Sequence, residues 1–154
     1  MADACFAPKD AVARPKSTIS HILMGLLLAA SITACVPSDT VTSRYGNLAE
    51  ARADRLFERG WLPDILPPSA HAIRTTNDLD HNTSQGEFSF SPSHSDRLYE
   101  RFTPGAPDKP AFDDWAGTVA NYARRGYSAW SYRKDAETWA FFCTPNKDRC
   151  EYFL

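Results

Sequence analysis

The alternation of apolar and polar residues predicts strands most clearly near the end of the chain. Two short segments there each place their apolar side chains on one face. These positions are Trp139, Phe141 and Cys143 in the first segment, and Cys150, Tyr152 and Leu154 in the second. The residues between the two cysteines, TPNKDR, are typical of a turn. Pairing Cys143 with Cys150 places Phe141 opposite Tyr152, and a preceding segment at 127–133 completes a predicted antiparallel meander.

Helical periodicity occurs in three places. Residues 47–60 carry a narrow apolar stripe between a capping asparagine and a glycine, and residues 93–102 begin with a Ser and an Asp in the spacing of a capping box. Residues 112–126 place acids in the first turn and arginines in the last, as the helix dipole favours. With a further strand at 86–91, the patterns predict a single α+β domain at 47–154. It has a small antiparallel sheet of about four strands and about three helices on one face.

The start of the chain has a different character. An uncharged apolar run at 22–36 follows a basic segment, and it is too short to span a bilayer, which needs about 20 apolar residues. Its length is that of the hydrophobic region of a signal peptide. We therefore interpret 1–34 as a signal peptide, followed by a polar tether at 35–46.

The end of this apolar run, Ile32-Thr33-Ala34-Cys35, resembles the lipobox of bacterial lipoproteins. The resemblance implies cleavage before Cys35 and covalent attachment of lipid to that residue. Two or more acyl chains anchor a protein stably where one does not. A residue other than aspartate after Cys35 implies sorting to the outer membrane, with the domain on the periplasmic face. An ordinary secretory signal and an uncleaved anchor are the alternatives.

Export would place the remaining cysteines in an oxidising compartment, where disulfides form. Cys5 precedes the predicted cleavage point, which leaves Cys143 and Cys150 as a pair expected to form a disulfide. The spacing is wrong for a CxxC redox motif, and no histidine lies nearby to complete a zinc site.

The polar loop at 77–88 is the main candidate for chemistry. Asp78, Asp80 and Asn82 alternate like the opening of an EF-hand calcium loop, with His81 among them. Thr83 then stands where the sharp-turn glycine belongs. A metal site built from these residues, or one joining His71, His81 and His94, is one reading. A turn whose carboxylates bond their own backbone is the favoured one, so we expect no cofactor other than lipid.

Charge and motifs exclude several classes of function. The chain has 17 Lys and Arg against 19 Asp and Glu, with no basic run, so a nucleic-acid partner is not expected. No nucleophile elbow, phosphate-binding loop or HExxH motif is present, which makes an enzyme the weaker expectation. The four tryptophans are expected in the core, although an outward Trp130 or Tyr132 would provide a binding surface.

Three short motifs in the domain also resemble those of small bacterial proteins of unknown function. They are a GWLP segment at 60–63, the D-x-D-x-N loop and a G-x-F-x-F strand at 86–90. We therefore expect a lipid-anchored, non-catalytic binding or accessory module of the bacterial envelope, with an envelope protein or a glycan as partner. The alternative is a small metal-assisted hydrolase or a calcium-dependent binder that uses the 78–82 loop.

Overall fold

The computed structural model describes residues 39–154, which lie within one compact unit. The strands are β1 (Thr40–Asn47), β2 (His71–Asp78), β3 (Thr83–Ser89), β4 (Thr103–Pro104), β5 (Ser128–Lys134), β6 (Glu137–Cys143) and β7 (Arg149–Phe153). The helices are α1 (Leu48–Ala53), α2 (Ser95–Tyr99) and α3 (Trp115–Arg124), with a 3-10 turn at Pro92–His94. The predicted signal peptide and Cys35 lie outside the described residues.

The strands form one antiparallel sheet in the order β1-β2-β3-β7-β6-β5-β4. Two meanders, β1–β3 and β4–β7, are joined where β3 pairs with β7. The predicted fold class is therefore wrong. The sheet has seven strands rather than about four, the helices are few and short, and they do not share one face. Helices α1 and α2 contribute Ala51 and Leu98 to one core cluster, whereas α3 contributes Tyr122 to another.

The C-terminal meander has the predicted register. Phe141 pairs with Tyr152, and Cys143 pairs with Cys150. The two cysteines are fully buried and joined by a disulfide, with the sulfur atoms 1.99 Å apart. This pairing is the predicted one. The register could be predicted because the two segments alternate strictly, and a one-residue slip would turn every core side chain outward.

The N-terminal meander differs from the prediction. Residues 40–47 form strand β1, although most of them were assigned to the tether. Strand β2 was not predicted, and its last residues and the start of β3 fall in the predicted polar loop at 77–88. Helix α1 ends at Ala53 instead of continuing to Gly60. Arg55 has a φ of 58°, which lies in the left-handed region and is incompatible with a continuing helix.

A buried polar cluster explains why β2 and the start of β3 were missed. Three side chains that point to the core are polar and at most 1% exposed: Thr75, Asn77 and Ser84. The Asn77 amide donates to Thr75 Oγ1 at 2.7 Å, while Ser84 Oγ and the Tyr152 hydroxyl donate to the carbonyl of Trp61 at 2.8 and 3.3 Å. Between Ile73 and Phe88, the core side of β2 and β3 therefore carries polar side chains that are held largely by hydrogen bonds, although Asn77 Oδ1 has no partner, and the apolar alternation is interrupted there.

The proline-rich segment after α1 packs against the sheet. Leu62, Ile65 and Leu66 are buried against the sheet, with Trp61 half-buried beside them. Tyr132 belongs to this core cluster and the partly buried Trp130 packs against it, so neither forms the outward binding surface that was considered. No helix within residues 39–154 is long and apolar enough to cross a membrane.

Candidate ligand-binding groove

The two faces of the sheet are covered unequally. One face carries the larger core along its length. On the other, α3 covers only the C-terminal strands, where Tyr122 and Val119 pack against Ala140 and Phe142. The outward positions of β1, β2 and β3 remain uncovered. We call them the open face, and its exposed members are Thr42, Arg44, Arg74 and Gln85.

Aromatic side chains form a wall beside the open face. The ring of Tyr122 stacks on Phe142 with centroids 4.1 Å apart, and Phe153 meets Phe112 and Trp115 edge-on at 5.3 and 5.4 Å. Such ring pairs contribute about 0.5–1.5 kcal/mol each beyond area burial. The wall is therefore held in place by packing.

Local sequence fixes the start of α3 at this wall. Asp114 has a φ of 46° and its carboxylate accepts a hydrogen bond from the Gly117 amide at 3.2 Å, which caps the helix. A β-carbon at position 117 would lie 2.1 Å from that carboxylate, so any other residue there would push the capping side chain out of place. The Trp115 indole donates to the Pro107 carbonyl at 2.8 Å and ties the preceding loop to the helix.

Two adjoining concavities run between the open face and the wall, and we call them together the groove. One, of about 220 Å³, is lined by Arg74, Thr76, Gln85, Gly86, Glu87, Tyr122, Glu151 and Phe153. The other, of about 370 Å³, is lined by Thr40, Thr76, Asp78, His81, Thr83, Gln85, Ala111, Phe112 and Asp113. Thr76 and Gln85 line both, so the groove is continuous. Arg74 and Asp78 are four residues apart on one strand, which corresponds to about 13 Å.

The first end of the groove holds a hydrogen-bonded charge network. Glu87 and Glu151 are directly opposite across β3 and β7. Tyr122 donates to Glu151, and Arg149 pairs with Glu87 and lies 3.8 Å from Glu151. Burial, together with the hydrogen bond to Glu151, raises the pKa of the Tyr122 phenol, which therefore stays a neutral donor. This end of the groove therefore presents positively and negatively charged side chains that hold one another in place.

The other end of the groove is the β2–β3 turn, which contains the residues considered as metal ligands. One oxygen of Asp78 accepts from the backbone amides of Asp80 and His81 at 3.0 and 3.1 Å, and the other lies 3.0 Å from His81 Nδ1. These hydrogen bonds from His81 lower the pKa of Asp78, and the carboxylate raises the pKa of His81. Asn82 adopts a φ of 49° in the turn. The geometry is that of a carboxylate bonding its own backbone.

The Asp80 side chain lies close to Asp39. Its pKa is raised by the nearby carboxylate of Asp39. Among residues 39–154, no group of three or more potential metal-ligating side chains comes together.

The three histidines do not converge. His71 pairs with Ser89 at one end of the β2–β3 hairpin, while His81 lies in the turn at the other end. His71 Nδ1 lies 3.0 Å from the Ser69 carbonyl. His94 is in the 3-10 turn, with its Nδ1 buried and without a hydrogen-bond partner. A three-histidine cleft is therefore not formed.

Most groove residues were not among the sequence candidates. Glu151 and Phe153 face outward in the predicted alternation of the last strand, and Glu87 does so in the predicted strand at 86–91. That alternation was a usable signal for the direction of these three side chains, whereas Gln85 lay in the predicted polar loop. What it lacked was the pairing of β3 with β7, which brings these four side chains into one site.

Comparison with known proteins gives one match. The family model of the YbbD head domain matches residues 39–89, a segment that contains β1, α1, β2 and β3. It includes the GWLP segment and the D-x-D-x-N loop, and it confirms a resemblance to a small bacterial family. No curated protein and no solved structure matches the chain.

Proposed function

We propose that this protein is a non-catalytic binding module of the bacterial envelope, anchored by lipid on Cys35, and that its groove binds a polar saccharide chain. The observation that carries the proposal is the open face itself. A polar sheet surface lies uncovered beside an aromatic wall, within a domain that is otherwise well packed.

The composition of the groove favours a saccharide over an apolar ligand. Its floor offers hydroxyl, amide, guanidinium and carboxylate groups from Thr76, Gln85, Arg74 and Glu87, and Phe153 borders it. Sugars present hydroxyls for such groups and apolar ring faces for aromatic side chains. The second concavity falls within the range of about 300–1,000 Å³ that is usual for ligand sites.

The position of β1 sets how far the domain would lie from an anchor on Cys35. Only residues 36–39 separate Cys35 from the first strand, and they extend at most about 14 Å. A lipid on Cys35 would therefore hold the domain, and with it the β2–β3 turn end of the groove, close to the membrane surface.

The anchor is tested by intact mass of the protein extracted from bacterial membranes. The expected mass starts at Cys35 and includes acyl chains. Cys35→Ala, which cannot accept lipid, is expected to leave the membrane fraction. A mass that begins at Met1 would refute the anchor.

The groove is tested by titrating the detergent-solubilised full chain with a panel of envelope oligosaccharides. Gln85→Ala removes an exposed amide shared by both concavities and is expected to weaken binding about three- to tenfold. Asn121→Ala, on the exposed side of α3, is the matched control. Failure of every saccharide to bind, or binding of a peptide instead, would overturn the proposal.

A further inference from the structure

Two arginines lie directly opposite each other on the open face. Arg44 of β1 pairs in register with Arg74 of β2, and both side chains are exposed. Like charges directly opposite across a pair of strands are destabilising. Within residues 39–154, no carboxylate lies within ion-pairing distance of either guanidinium.

The nearest candidate carboxylate is engaged elsewhere. Glu87 pairs in register with Arg74 on its other side, but its carboxylate binds Arg149. Glu151, the next residue of this row, accepts from Tyr122 and lies 3.8 Å from Arg125 and from Arg149. The two carboxylates of this row are therefore paired without Arg44 and Arg74. Within the described residues, the guanidinium groups of these two arginines have no carboxylate partner.

The two side chains are spaced to share one anion. Directly opposite residues have β-carbons about 4.5–5.5 Å apart, and each guanidinium presents a planar fork of donors that matches carboxylate or phosphate oxygens. The hydroxyls of Thr42 and Thr76 bond each other at 3.0 Å in the adjacent row, which leaves one of their two protons as a further donor. Arg74 also lines the groove beside Gln85, so an anion held here would lie at its end.

We infer that Arg44 and Arg74 form an anion subsite of the groove, which holds a phosphate or carboxylate substituent of the ligand. The inference rests on the proposed function for the identity of the ligand as an acidic saccharide. The anion subsite itself depends only on the arginine pair.

Inorganic phosphate and acetate are the probes for the subsite. At constant ionic strength, phosphate is expected to shift the NMR amide signals of residues 42–46 and 74–76 in a saturable way and to raise the Tm of the full chain. Arg44→Gln and Arg74→Gln are each expected to weaken phosphate binding at least tenfold. Arg97→Gln, an exposed arginine on α2 with the same charge change, is expected to leave it unchanged.

The inference is overturned if the phosphate response is not saturable, or if it is equal in all four proteins. Without phosphate, Arg44→Gln and Arg74→Gln are expected to melt no lower than wild type at low salt, because each substitution relieves repulsion. A comparison of the phosphate and acetate affinities distinguishes a phosphoryl from a carboxyl ligand.

Saccharide titrations separate this inference from the proposed function. Phosphate binding that depends on the arginines, with no saccharide bound, refutes the proposed function and supports the anion subsite. Equal binding of neutral and acidic saccharides, unaffected by Arg44→Gln and Arg74→Gln, refutes the subsite as part of the ligand site and leaves the saccharide groove standing.

Discussion

Gly86 lies where the two meanders of the sheet meet, and Gly86→Ala is expected to destabilise the protein strongly. Gly86 pairs with Thr75 on one side and Tyr152 on the other. A β-carbon at position 86 would lie 2.1 Å from the Arg74 carbonyl oxygen and 2.8 Å from the Tyr152 hydroxyl. The first contact involves backbone, and Tyr152 is fully buried, so neither neighbour has space to move away.

The magnitude follows from two effects. Overpacking a close-packed site costs about 1–3 kcal/mol. Displacing Tyr152 also weakens its hydrogen bond to the Trp61 carbonyl, which contributes about 1 kcal/mol. We expect a loss of about 3 kcal/mol in the free energy of unfolding. For a domain of this size, that loss corresponds to a fall in Tm of about 10–15 °C.

The assay is guanidinium unfolding of the full chain followed by tryptophan fluorescence, with thermal scanning alongside. Gly46→Ala is the matched control, because a β-carbon there meets only the flexible Glu50 carboxylate at 3.3 Å. Its effect should stay within about 0.5 kcal/mol. Equal unfolding midpoints for the two variants would refute the close approach of Tyr152 to β3.

Three further predictions concern the disulfide and the β2–β3 turn. Replacing Cys143 and Cys150 with alanine should lower the free energy of unfolding by about 2.5 kcal/mol on the chain-entropy account for so short a loop, and an unchanged urea midpoint would contradict this. Asp78→Asn should lower the pKa of His81, measured by NMR titration with His71 as internal control; an unmoved His81 would show that the contact is not made. Because folding raises the pKa of His81, its interaction stabilises the fold below the unfolded-state pKa and is lost as pH rises through the folded-state value. The difference in urea midpoint between wild type and Asp78→Asn should therefore be larger at pH 5.5 than at pH 8.5, and the reverse order would contradict the sign.

The helix predictions show how far local signals reach. Asn47 caps α1 as expected, its side chain accepting from the Glu50 amide at 3.1 Å, and the predicted helix at 112–126 is present as α3. Propensity and periodicity did not reveal where α1 ends. The left-handed Arg55 closes the helix so that Leu56 and Leu62 can reach the core, which is a tertiary requirement.

The candidate site was predictable only in part. The turn at 78–82 was correctly read as a loop whose Asp78 bonds its own backbone, because those hydrogen bonds involve neighbours in sequence. The groove joins residues of β2, β3, α3 and β7, which come together only through the β3–β7 pairing. No local pattern encodes a pairing between residues more than sixty positions apart.

The sequence by itself determined the C-terminal meander, its register and the pairing of its two cysteines, because strict alternation of large apolar residues admits one burial face and one register. Only the tertiary structure decided that β1–β3 extend this sheet to seven strands. Only Ile73 and Phe88 give an apolar signal on the inward side of β2 and β3, where Thr75, Asn77, Ser84 and Gly86 fill the positions between them. Distant parts of the chain cover these residues. The Trp61 carbonyl accepts hydrogen bonds from Ser84 and Tyr152, and the Tyr152 side chain fills the space above Gly86.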